Sequence, residues 1–319
     1  NIDFGLPTAF TGLRGVGGTL QTEYGEMTGM PPARLSEDEN WVQSTQVDRR
    51  AAMMGSALFA GYALAVQPVS ASVVTTDAQG LETGMINFQT AGLHMRAYRA
   101  KPAGKTRLPV VLVVQEIFGL HKWVQDMCRR YAKAGFYAIA PDLYQRQGDA
   151  TKIADFKVLI NDIVAKVPDA QVMGDLDAAA RFAGTDGGNV AKLGITGYCW
   201  GGRIVWLYAA HNRRLKAGVA CYGRLIGKPT ALQPKDPIDV AAAIRAPVLG
   251  LYGALDKGIP PADVERMNAA LKDAKRSSII RLFPDAGHGF LADYRPSYHE
   301  PSAREGFAQG LDWFRRYLN

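Results

Sequence analysis

Cysteine is scarce in this chain: 319 residues carry three, Cys128, Cys199 and Cys221, with no C-x-x-C pair. An odd number without paired spacing argues against a disulfide framework and against a cysteine-based zinc site. The five histidines are scattered, with none at zincin-like spacing, so neither a metal nor another cofactor is expected. Lys and Arg number 37 against 30 Asp and Glu, a formal net charge of +7, yet no basic block with interleaved aromatics is present. The excess therefore reads as a solvated face and no nucleic-acid partner is expected. Internal repeats and low-complexity tracts are also missing. With 47% apolar residues, the chain can bury one substantial core.

What is present is an orderly alternation of strand and helix patterns. Strands over 85–90 and 93–100 are followed by alternating strands and helices, ending in a helix through 307–317. That order predicts an antiparallel hairpin leading into a doubly wound, mostly parallel α/β sheet with helices on both faces. Cys128 falls in an amphipathic helix pattern over 123–134 and Cys221 in a strand pattern over 217–222, so both read as packed core thiols. Residues 172–182 carry the apolar spacing of a packing helix. By contrast, 224–243 is rich in Pro and Lys and poor in periodicity, the pattern of an excursion that roofs a pocket.

The most chemical stretch is Gly197-Tyr198-Cys199-Trp200-Gly201-Gly202, which follows an apolar strand pattern and opens a helix pattern. It reads as a nucleophile elbow with cysteine in place of serine. Glycines at each end remove Cβ atoms that would clash in so tight a turn, and the central residue is held strained with its side chain exposed. The helix that begins there points N–H groups and its positive dipole end at the sulfur, favouring thiolate and an adjacent oxyanion.

Two later strand patterns end in an acid and a base. Residues 246–252 run into Gly253-Ala254-Leu255-Asp256, and 277–283 run into Pro284-Asp285-Ala286-Gly287-His288-Gly289-Phe290. Taken singly, Asp256 reads equally as a surface turn residue and His288 as a helix cap. Together they follow the nucleophile in the order that an α/β hydrolase requires. Loops at the carboxyl ends of parallel strands converge on one sheet edge, so Cys199, Asp256 and His288 are expected to meet. His288 would receive the thiol proton and Asp256 would orient the imidazole. A fourth strand, 109–114, ends in Gln115-Glu116-Ile117-Phe118-Gly119. A carboxylate there is costly to bury unless it is paired or has work to do, and a structural ion pair with an arginine is the alternative to a catalytic role.

The segments QEIFG at 115–119, Pro141-Asp142-Leu143-Tyr144, GYCWGG at 197–202, the Gly253 to Asp256 turn and AGHGF at 286–290 together resemble the dienelactone hydrolase (carboxymethylenebutenolidase) family. The likeness runs from about residue 85 to the C-terminus. It implies an α/β-hydrolase fold with Cys199, Asp256 and His288 as the triad, and no cofactor. It also implies that Glu116 takes up the cysteine proton when substrate binds, and that the N–H groups of Ile117 and Trp200 form the oxyanion hole. Tyr144, Tyr222 and Phe290, beside these motifs, are expected to contact substrate. Family members that open the lactone carry arginines that contact the substrate carboxylate, one shortly after the histidine and one downstream of the P-D-L-Y segment. Here Leu291-Ala292-Asp293 stands in the first place, and Arg146, Arg224 and Arg295 are the arginines at hand. The expectation is a cysteine-dependent hydrolase of a small ester, lactone or thioester. The competing expectation is a non-catalytic accessory or assembly subunit built on the same scaffold and its N-terminal arm.

Residues 1–81 form an N-terminal extension to a catalytic domain over 82–319. Asp48-Arg49-Arg50 precedes an uncharged run over 51–66 and the break Gln67-Pro68-Val69-Ser70-Ala71. These are the parts of an export signal, and the paired arginines suggest the twin-arginine route. Three readings follow: an uncleaved signal in a cytoplasmic precursor, a short membrane anchor, or an arm that packs on another subunit of a homo-oligomer. So short a run is marginal for spanning a bilayer, which disfavours the anchor. The location is then cytoplasmic, or periplasmic if the signal is used. The Gly-rich stretch over 11–18 lacks the Gly-Lys-Ser/Thr of a phosphate loop and reads as a flexible arm.

Overall fold

The computed structural model describes residues 75–319, and the signal, anchor and arm readings of the extension lie outside them. Eight strands form one sheet: β1 (Leu81–Thr90), β2 (Leu93–Pro102), β3 (Leu108–Val114), β4 (Tyr137–Pro141), β5 (Gly188–Tyr198), β6 (Ala217–Cys221), β7 (Val248–Gly253) and β8 (Ile279–Phe283). Their order across the sheet is β1-β2-β4-β3-β5-β6-β7-β8. β1 and β2 make the expected antiparallel hairpin, joined at Ala91 and Gly92, both with positive φ (32° and 76°). A turn with two left-handed residues matches the right-handed twist of the strands it connects. β2 meets β4 antiparallel, and the remaining pairs are all parallel. Contacts with the domain begin before residue 82, because the Thr76 N–H donates to Asp126 Oδ1 at 2.6 Å.

Five longer helices cover the sheet: α1 (Lys122–Lys133), α2 (Asp169–Thr185), α3 (Trp200–His211), α4 (Pro261–Asp273) and α5 (Glu300–Leu318). Successive strand residues point to opposite faces, and β5 shows which helices lie where. A Cβ at Gly194 would meet Phe314 and Leu318 of α5, and Thr196, on the same face, lies 3.4 Å from the Tyr131 hydroxyl of α1. Gly197, on the other face, abuts Gly201 of α3. The α1–α5 layer is knitted by Tyr131 against Phe307 and Phe314, and α2 joins α3 where Tyr208 donates to Asp177 at 2.9 Å. Cys128 and Cys221 are buried in this core as expected, and burial pushes both thiols up. Among the described residues no helix is long and apolar enough to cross a membrane.

Candidate active site

The turn from β5 into α3 has the strain read from its sequence. Cys199 has φ 55° and ψ −115°, a region that costs a residue with a side chain about 1–3 kcal/mol. Backbones pass very close there: a Cβ at Gly197 would sit 2.3 Å from the Gly201 oxygen, and one at Gly201 would sit 2.5 Å from the Gln115 oxygen. No side chain fits either place. The Cys199 N–H donates to Cys221 O at 3.0 Å and the Tyr222 N–H to Leu251 O at 2.8 Å, so the ends of β5, β6 and β7 stay level. Trp200 is the first residue of α3, where helix geometry leaves N–H groups without an intrahelical acceptor.

The exposed thiol expected at an elbow is not observed. Cys199 is fully buried, because other chain segments close around the turn. A cavity beside it is lined by Ile117 and Trp200 together with Ile160, Val164, Arg224 and Gln233. The two excursions that supply these last walls are tied to each other: Gln233 Nε2 donates to the carbonyls of Val164 and Val167 at 3.3 and 3.4 Å, and the Asp169 N–H donates to Leu232 O at 2.9 Å. Arg203 of α3 anchors the same region, with a bidentate pair to Asp169 (2.7 and 2.8 Å) and a bond to Asp236 (3.1 Å). The segment after residue 223 therefore does form part of the pocket wall.

Cys199, His288 and Asp256 lie in one line. The sulfur is 3.3 Å from His288 Nε2, and His288 Nδ1 is 2.8 Å from Asp256 Oδ2. The other Asp256 oxygen accepts the N–H groups of Gly258 (2.8 Å) and Ile259 (3.1 Å), which fixes the carboxylate from its own turn. Burial disfavours a charged imidazole at His288. The neighbouring Cys199 sulfur and the Asp256 carboxylate outweigh that cost and raise it to about 10. Tyr222, with φ 38°, packs its ring 5.3 Å from that of His288 and 5.6 Å from Phe290. Tyr144 packs 4.9 Å from Trp200. Tyr144, Tyr222 and Phe290 are all buried and are not among the cavity walls.

Glu116 is fully buried and tightly held. It accepts from the Tyr294 hydroxyl at 2.5 Å and from Arg295 Nη2 at 2.9 Å, with His121 Nε2 at 3.7 Å. Burial alone would raise this carboxyl; the Arg295 guanidinium, with His121 and Tyr294, overrides it and holds the group at about 2. The ion pair left open by the sequence is thus present. Sequence reasoning named Arg295 without a partner and passed over Tyr294. The Tyr-Arg pair closely following His288 was the signal available. Of the other two arginines at hand, Arg146 is committed to Asp175 (2.5 and 3.0 Å), whereas Arg224 bonds Asp236 (2.9 Å) and also lines the cavity.

The model of the dienelactone hydrolase family matches residues 95–318. A protein of Methylorubrum extorquens named "Putative carboxymethylenebutenolidase" is 52% identical over 275 residues, 86% of this chain and 94% of that one. One of the same name from Escherichia coli strain K12 is 50% identical over 258 residues, covering 81% and 95% of the two chains. The crystal structure titled "Putative Dienelactone Hydrolase" from Klebsiella pneumoniae superposes with a TM-score of 0.73 at 50% identity, over 74% of this chain and 99% of that one. Sheet order, elbow and these matches agree, and the chain belongs to the dienelactone hydrolase family of α/β hydrolases.

Proposed function

We propose that this hydrolase cleaves a small ester, lactone or thioester through a Cys199–His288–Asp256 triad and an acyl-enzyme. The observation that carries the reading is the unbroken line from sulfur to imidazole to carboxylate at a strained strand-to-helix turn. In the attack, the Cys199 sulfur bonds to the substrate carbonyl carbon, and the carbonyl oxygen takes up negative charge beside the N–H groups of Ile117 and Trp200. The imidazolium of His288 then protonates the leaving oxygen or sulfur as its bond to carbon breaks. In a lactone that leaving oxygen stays tethered to the acyl group. Water, deprotonated by His288, then hydrolyses the thioester and frees Cys199.

Glu116 serves as the first proton acceptor from the Cys199 thiol, released for that task when substrate displaces it from Arg295 and Tyr294, and it returns the proton to the Cys199 sulfur once deacylation has freed it. Its hold by both donors supports a form in which the carboxylate is kept ionised and engaged away from the sulfur. The names borne by the relatives make a lactone the first substrate class to try. Beside Trp200, Arg203, Arg224 and Gln233 are the polar groups in an otherwise apolar cavity wall.

A panel of lactones, aryl esters and thioesters, run on the wild type with Cys199→Ala as the blank, tests this. The expected result is turnover of at least one class and a loss of about 10³-fold or more in the variant. Equal rates in the two proteins would sink the reading, and inactivity of the wild type on every class would favour the accessory-subunit alternative.

A further inference from the structure

Asp126, Arg129 and Arg130 have i,i+3 and i,i+4 spacing along α1, which on an exposed helix is a weak surface pairing. Here the acid is buried. The Asp126 side chain is only 1% exposed and accepts from Arg129 Nη2 at 2.8 Å, Arg130 Nε at 2.7 Å and the Thr76 N–H at 2.6 Å. Arg130 also reaches away from α1, placing Nη2 2.5 Å from Oδ2 of Asp293, itself 4% exposed. Asp293 directly precedes Tyr294 and Arg295, the two residues that grip Glu116. The Tyr294 ring lies 5.7 Å from that of Trp123, so α1 touches the same short loop a second time. Charges in the cluster balance, Arg129 and Arg130 against Asp126 and Asp293. Without Arg130, two buried carboxylates would face one guanidinium, an arrangement that forces the loop to shift.

We propose that Arg130, by bridging Asp126 of α1 to Asp293, is a positioning residue for Glu116, holding Tyr294 and Arg295 where they clamp its carboxylate. Its consequence for turnover rests on the reading of Glu116 as proton acceptor; the clamp itself does not. Besides Tyr294 and Arg295, Glu116 has His121 as an ion-pair partner at the longer distance of 3.7 Å, so a small drift of the loop that carries the first two loosens the hold. Drift of about 1 Å in a reacting group also costs rate.

The clamp is read directly by infrared spectroscopy, as the carbonyl band of protonated Glu116, identified as the band that adding Glu116→Gln to the Arg130 variant abolishes. At about pH 4 the wild type should show no such band and Arg130→Met should show it, because a loosened carboxyl returns toward its ordinary range. Arg130→Lys keeps the charge without the two-sided bridge and should give a weaker band. In parallel, kcat/KM should fall about tenfold in Arg130→Met and recover most of that in Arg130→Lys. Absence of the band in whichever of the two variants folds overturns the proposal. A band in Arg130→Met alongside full activity of Glu116→Gln supports the clamp and overturns only the proton-acceptor reading.

Discussion

Two buried carboxylates, Asp256 after β7 and Glu116 after β3, are held in opposite ways. Asp256 is fixed locally: one oxygen accepts N–H groups two and three residues ahead, leaving the other for His288. Glu116 is held from far along the chain, by Tyr294 and Arg295 at separations of 178 and 179 residues. Backbone donors in a turn cannot leave without unfolding it, so Asp256 is a permanent fixture. Side-chain donors can swing or be competed away, so Glu116 is held reversibly. That difference matches the roles proposed for them, Asp256 to orient the imidazole and Glu116 to take up a proton.

The comparison is open to attack at both ends. The largest effect is expected from Asp256→Asn, which keeps the turn but presents an amide to the imidazole and favours the wrong tautomer. kcat should fall about 10⁴-fold, and steady-state kinetics on the best substrate of the panel will measure it. Loss of less than tenfold would mean that Asp256 does not orient His288.

The next effect is on stability. Glu116 lies at about 2 in the folded protein, below the roughly 4.3 of an unfolded glutamate. A lowered carboxyl stabilises the fold above the unfolded value, and that stability is lost as pH falls toward the folded one. The stability of the wild type relative to Glu116→Gln should thus fall by about 3 kcal/mol between about pH 4.3 and 2, relative to its value near neutrality. Paired denaturant titrations across that window measure it. A gap that stays constant would mean the carboxylate is not held by its charge.

The same variant should lower kcat/KM about 10²-fold, the usual worth of one general base. The smallest effect belongs to Tyr294→Phe, which removes one of the two donors at hydrogen-bond distance from a buried anion. It should cost about 2 kcal/mol, readable as a shifted denaturation midpoint with unchanged slope. An equal loss for Tyr294→Phe in a Glu116→Gln background would show that the hydroxyl does not act through the carboxylate.

Much of this was legible beforehand, but unevenly. The elbow could be read because its demands are local: Gly197 and Gly201 answer to backbone atoms a few ångströms away. Asp256 and His288 could be read because each ends a strand, and parallel strands bring their carboxyl ends together. The hairpin and the mostly parallel, doubly wound sheet followed from the alternation of patterns. What was misread was enclosure. The thiol expected to be exposed is buried, and segments 150–167 and 224–236 wall a cavity beside Trp200 through bonds such as that from Gln233 to Val164, which no periodicity announces.

Sequence alone determined the elements whose causes are short-range: the strands, the strained Cys199 turn, the Asp256 turn and the order of the three residues that line up. Only the tertiary structure decided who holds Glu116, which of three arginines faces the cavity, and that a buried Asp126–Arg130–Asp293 bridge ties α1 to the residues of the clamp. The physical reason is one of range. Backbone conformation and hydrophobic period are written within a few residues, whereas an ion pair between side chains far apart in sequence exists only once the sheet has brought their strand ends together.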